Sequence, residues 1–134
     1  MKRNSLLYTS LGLFLLTAIL HILATAFSIY WTLLWFDSVV HGFGGMALGF
    51  FAIWIGTPSR ETYTSPFSFQ IFLLVLGGTL CAGLLWEFFE YSTGITSLLS
   101  RNYVPDTLGD LAMDVVGGLA ALVYTSITRK ALFS

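Results

Sequence analysis

Asp37 with His41, Glu87 with Glu90, and Asp106 with Asp110 and Asp114 form three sets of ionisable residues in a chain that is otherwise strongly apolar. Members of each set stand three or four residues apart. On a helix that separation leaves them about 40° to 60° apart in direction, so each set shares one face. Carboxylates and imidazoles presented this way by neighbouring helices are how bundles assemble carboxylate metal sites. Oxygen and imidazole donors together suit zinc, manganese or iron. The expected ligands are Asp37, His41, Glu87, Glu90, Asp110 and Asp114, around one or two divalent ions.

The elements that must position them are membrane helices. The chain has 134 residues, of which 56% are hydrophobic and only 10% charged. A soluble domain carries roughly a quarter charged residues. The net charge of −1 says nothing about nucleic acid, but no basic cluster suggests it, and no nucleic-acid partner is expected. Cys81 is the single cysteine, so no intrachain disulfide can form. Four runs approach the roughly 20 apolar residues that a span needs, near 6–30, 39–55, 69–91 and 108–128. The expected fold is all-α, a polytopic four-helix transmembrane bundle within a single domain. The run that follows Met1-Lys2-Arg3 is longer than the apolar part of a signal peptide and is taken as a retained helix.

Lys2, Arg3, Arg60, Arg129 and Lys130 fall on one side of such a bundle and Arg101 on the other. The positive-inside rule then predicts cytoplasmic termini, a cytoplasmic loop at 57–68 and an outer loop at 92–107. Aromatic residues near the span ends, Tyr30, Trp31, Trp35, Trp54, Tyr63 and Tyr91, fit interfacial belts. In this topology both histidines and every acid but Glu61 lie in the outer half. Glycines such as Gly45 and Gly49 are spaced for close helix packing.

A carboxylate deep in the bilayer costs at least a few kcal/mol. Six of them, Asp37, Glu87, Glu90, Asp106, Asp110 and Asp114, meet one nearby permanent cation, Arg101. Protonation, a bound cation or exposure to water must supply the balance. Asp106 follows Pro105 and precedes an apolar run, so it serves equally as a helix cap. His21 alone would be a core histidine, and His41 alone a hydrogen-bonded partner of Asp37.

Asp37-x-x-x-His41-x-x-x-Gly45, Glu87-x-x-Glu90, Arg101 and Asp110-x-x-x-Asp114-x-x-Gly117 resemble the motifs of VanZ-like membrane proteins and of a related uncharacterised inner-membrane family. Glu90 and Asp114 stand where VanZ-like proteins usually have glutamine and asparagine, which brings the chain nearer to the uncharacterised relatives. The resemblance spans Trp35 to Gly118 and implies a small helical membrane protein without settled chemistry.

Two functions follow from the residues. One is a metal-dependent enzyme, a hydrolase or phosphoryl-transfer catalyst, acting on a lipid or lipid-linked substrate at the outer leaflet. Glu90 or Asp106 would act as general base, and Arg101 would hold a phosphate. The other is a cation- or proton-coupled transporter, against which the apolar inner half and the lack of a repeat argue. A structural bundle with an acidic core is the third reading. The expected setting is the inner membrane of a prokaryote, with a homo-oligomer left open.

Overall fold

The computed structural model describes residues 3–57, 68–93 and 103–133, with side chains from 104 to 128 in the last segment. Five helices form: α1 (Arg3–Ala26), α2 (Ile29–Thr32), α3 (Trp35–Gly56), α4 (Phe69–Thr93) and α5 (Tyr103–Phe133). The described residues contain no strand. All but α2 are long and apolar enough to cross a membrane, which is the expected all-α, four-span class. Arg101, Glu61, Arg60, Lys2 and the side chains of Arg129 and Lys130 lie outside the described residues, as do 58–67 and 94–102 of the connecting loops.

α3 is the central helix. It packs on α1, α4 and α5, whereas α1 meets neither α4 nor α5 through its backbone. The α3–α5 crossing is paved with glycine. A Cβ at Gly45 would strike the backbone of Asp114, and one at Gly49 would come within 2.9 Å of the Gly118 backbone. Gly117 lies in the same way against Gly42 and Met46. Small residues are what let membrane helices approach this closely. α1 is pinned to α3 by Ser10, whose hydroxyl donates to the Ala47 carbonyl at 2.8 Å.

The bundle has two unlike ends. At one, Leu6, Phe50, Ile53, Ile71, Val75, Ala121 and Leu122 form the apolar core. Arg3 closes that end, lying 4.6 Å over the Trp54 ring and donating to the Thr57 carbonyl. The other end gathers the ionisable residues and is called the polar end below.

Two short breaks shape the polar end. α1 stops at Ala26 instead of running on toward Tyr30, because Ser28 takes a left-handed conformation (φ 56°, ψ 31°). The chain restarts as the one-turn α2, which folds Tyr30 back toward α1, and then enters α3 at Trp35. α5 begins at Tyr103, ahead of the apolar run itself. Pro105 in its first turn loses no hydrogen bond there, and Asp106 sits in that turn, where the helix dipole favours a carboxylate.

Candidate metal centre

The glycine crossing is what brings the acids together. With Gly45 against the Asp114 backbone, the α3 and α5 faces that carry Asp37, His41, Asp110 and Asp114 look directly at each other. Gly83 completes the fit from α4, since any Cβ there would overlap the Asp114 carboxylate. His41, Glu87, Glu90, Asp110 and Asp114 are only 4% to 7% exposed, Asp37 is half-buried, and Asp106 is exposed.

His41 is the hinge of the cluster. Its Nδ1 lies 3.3 Å from Asp114 Oδ2, and its Nε2 lies 3.9 Å from Asp37 Oδ1. With Asp114 ionised, the Nδ1–H is the donor and the Nε2 lone pair is left for another partner. Asp37, His41 and Asp110 each offer one donor atom within 4.8 Å of the others, a spacing at which the three could hold one ion. An imidazole fixed through one nitrogen by a carboxylate, with the other turned toward further ligands, is the arrangement found around protein metals. The donor set therefore fits a divalent cation.

Glu87, Glu90 and Asp110 also accept from neutral donors. Thr107 donates to Glu87 Oε2 at 2.7 Å, Trp86 Nε1 donates to Glu90 Oε1 at 2.9 Å, and Ser38 donates weakly to Asp110 Oδ1 at 3.5 Å. Glu87, Glu90 and Asp114 are not members of the three-residue group. Arg3 is the single Lys or Arg side chain among the described residues, and it lies at the opposite end. No described cationic side chain of that kind neutralises the cluster.

Ser38, Thr107, Trp86 and Tyr30 are polar partners that the sequence analysis did not assign. Tyr30 OH lies 2.9 Å from His21 Nδ1, and the His21 ring stands edge-on to Trp86 at 5.1 Å. His21 is thereby tied to α2 and α4 rather than to the acids. Burial, reinforced by the negative charges of Asp37, Glu90 and Asp110, pushes the Tyr30 hydroxyl well above the ordinary tyrosine value of 10.0. Tyr30 stays a protonated donor. Trp86 stands four residues before Glu90 on the same helix face, so that contact carried a signal in the spacing.

Residues 1–131 match the family described as "Predicted membrane protein (DUF2238)". No curated protein and no solved structure matches the chain.

Proposed function

The chain belongs to that membrane-protein family, and we propose that its polar end is a divalent-metal site serving an enzyme that acts on a lipid or lipid-linked substrate. The observation that supports this most is the double engagement of His41, with Nδ1 on Asp114 and Nε2 toward Asp37, in a group of three donors that Asp110 completes. Asp37, His41 and Asp110 would be the ligands. Asp114, expected from sequence as a ligand, is better used as the group that orients His41. Glu87 and Glu90 would join only if a second ion were bound.

Such an ion supplies Lewis acidity toward a phosphoryl or carbonyl oxygen and acidifies water. The protein's own contribution is orientation and proton handling. Trp86 engages one oxygen of Glu90, which leaves the other to take a proton as general base. Thr107 fixes Glu87, so Glu87 is a poorer candidate for that step. Asp106 is exposed at the start of α5 and suits a contact with a head group better than a deep ligand role. Arg101 keeps its proposed part as the phosphate-holding residue from its position in the sequence alone.

The positive-inside distribution supports cytoplasmic termini in a prokaryotic inner membrane, with the polar end outward. The Asp37/His41 and Asp110/Asp114 motifs also support a distant kinship with VanZ-like proteins. One further reading has an observation behind it. Because Glu87, Glu90, Asp110 and Asp114 each have a hydrogen-bonding partner within the chain, the cluster would also serve as a polar network that fixes helix register.

Elemental analysis separates these readings. Protein purified without chelator is expected to carry about one zinc, manganese or iron per chain, and Asp37→Asn is expected to lose it. Metal-free wild-type protein that still binds none of the three on titration would overturn the metal reading and leave the polar network.

A further inference from the structure

α1 and α4 flank α3 without backbone contact with each other, and a cleft of about 380 Å³ lies between them. Its floor is α3 from Val40 to Leu48, a length of about 12 Å. Ala18, Gly44 and Ala82 leave the width. Above Gly44 there is room, since a Cβ built there would meet only the Thr17 methyl at 3.7 Å. At the polar end the edge-on contact of His21 with Trp86 bridges the two walls, and behind them stand His41 and Asp114.

The surroundings decide what can enter. The outward faces of α1 and α4 beside the cleft carry exposed Leu15, Ile19, Leu84 and Leu85 on helices long enough to span a membrane. The medium at the mouth is therefore hydrocarbon. Water in an apolar cleft would lack the two to four polar partners it needs, and an unfilled void would forfeit its dispersion contacts. A helix from a second copy, about 10 Å across, cannot lie along the full length of the cleft, because the His21 and Trp86 rings meet across it at 5.1 Å. A single hydrocarbon chain fits, and the polarity of the cleft gives it a direction. From Phe14 and Leu48 onward its lining is apolar apart from Thr17, whose hydroxyl is spent on the Leu13 carbonyl, and the ionisable side chains His21, His41 and Asp114 stand at one end.

The geometry points to a lateral seat in which one hydrocarbon chain of a bilayer lipid lies between α1 and α4, holding that lipid's polar head at the His41 end. This rests on the enzyme reading for the meaning of the head group: the substrate class becomes a lipid that is presented sideways by one of its chains. The seat itself depends only on the shape and polarity of the cleft.

Photocrosslinking tests it. Full-length protein is reconstituted in phosphatidylglycerol vesicles that contain a small fraction of phosphatidylglycerol with a diazirine in one acyl chain. Labelled peptides are then mapped by mass spectrometry and metal is assayed in the same preparation. Labelling around Ala18 and Ala82 is expected to saturate and to be competed by unlabelled lipid. Labelling around Leu85, on the open face, is expected to rise linearly. Ala82→Phe fills the cleft and should cut the saturable labelling several-fold, and Ala18→Phe does the same from the other wall should Ala82→Phe fail to fold. Labelling at Ala18 and Ala82 that is linear and indifferent to both substitutions overturns the seat. Metal bound without saturable labelling removes the seat and keeps the metal reading. Saturable labelling without metal keeps the seat and removes the enzyme.

Discussion

His41 on α3 and Asp114 on α5 are joined Nδ1 to Oδ2 at 3.3 Å, next to the point where Gly45 rests against the Asp114 backbone. Packing and chemistry are therefore coupled. The contact that lets two membrane helices close on each other is the one that orients the imidazole. Asp37→Asn and Asp110→Asn each remove a proposed ligand and should abolish metal binding. Asp114→Asn leaves the ligands in place and loosens His41, for which a 10–100-fold loss of affinity is the usual scale. Titration of chelator-stripped protein with zinc, followed calorimetrically, distinguishes the two. Equal losses in all three variants would make Asp114 a ligand instead.

The same coupling sets the stability of the bundle. Gly49→Ala would drive a methyl group into the Gly118 backbone and the Ala121 side chain. Overpacking of this kind costs about 1–3 kcal/mol, and neither neighbour is a flexible side chain that could swing away. Gly77→Ala meets nothing within 4 Å, and replacing a mid-helix glycine there should gain roughly 0.5–1 kcal/mol. Thermal unfolding in detergent should therefore move in opposite directions for the two variants. A Gly49→Ala protein as stable as the wild type would mean that α3 and α5 do not pack this closely.

The fold class was legible because four long apolar runs leave few alternatives, and the face of each acidic set followed from the spacing alone. Asp37 and His41 do share a face, and Asp110 and Asp114 are both buried beside His41, whereas Asp106 of the same stripe is exposed. The partners of the acids were not legible. Thr107 with Glu87 and Ser38 with Asp110 join positions 20 and 72 residues apart, and a hydroxyl in an apolar helix carries no mark of what it will face. The break at Ser28 was hidden for a different reason. Between Ile22 and Tyr30 only the small polar residues Thr25 and Ser28 fall in the apolar run, too little to mark a break, and the left-handed Ser28 backbone ends α1. Tyr30 therefore read as an interfacial anchor, although it reaches back to His21.

Ser28 offers a direct check on that turn. A left-handed residue other than glycine costs about 1–2 kcal/mol, and Ser28 is the single described non-glycine residue with positive φ. Its side chain makes no capping hydrogen bond in return. Ser28→Gly should raise the unfolding temperature or leave it unchanged, whereas a β-branched Ser28→Val should lower it. Stabilisation by valine would mean that the turn is helical and that α1 continues into α2.

Tyr30 can be followed by its own absorbance. Burial and the negative charges of Asp37, Glu90 and Asp110 favour the neutral phenol, so its ionisation is displaced above 10.0. The sign is fixed by the proton. Between the ordinary tyrosine value and the raised one, the folded state keeps a proton that an unfolded chain would have released, so Tyr30 stabilises the fold below pH 10.0 and that contribution fades as pH rises further. An alkaline titration of tyrosinate absorbance should thus show a late component that Tyr30→Phe removes. The same variant should leave His21 without its hydroxyl partner 2.9 Å away. Asp37→Asn takes away one of the charges that hold the phenol neutral and should bring the late component to lower pH. Loss of amplitude from the early part of the titration in Tyr30→Phe would instead place this hydroxyl in water, away from His21 and the acids.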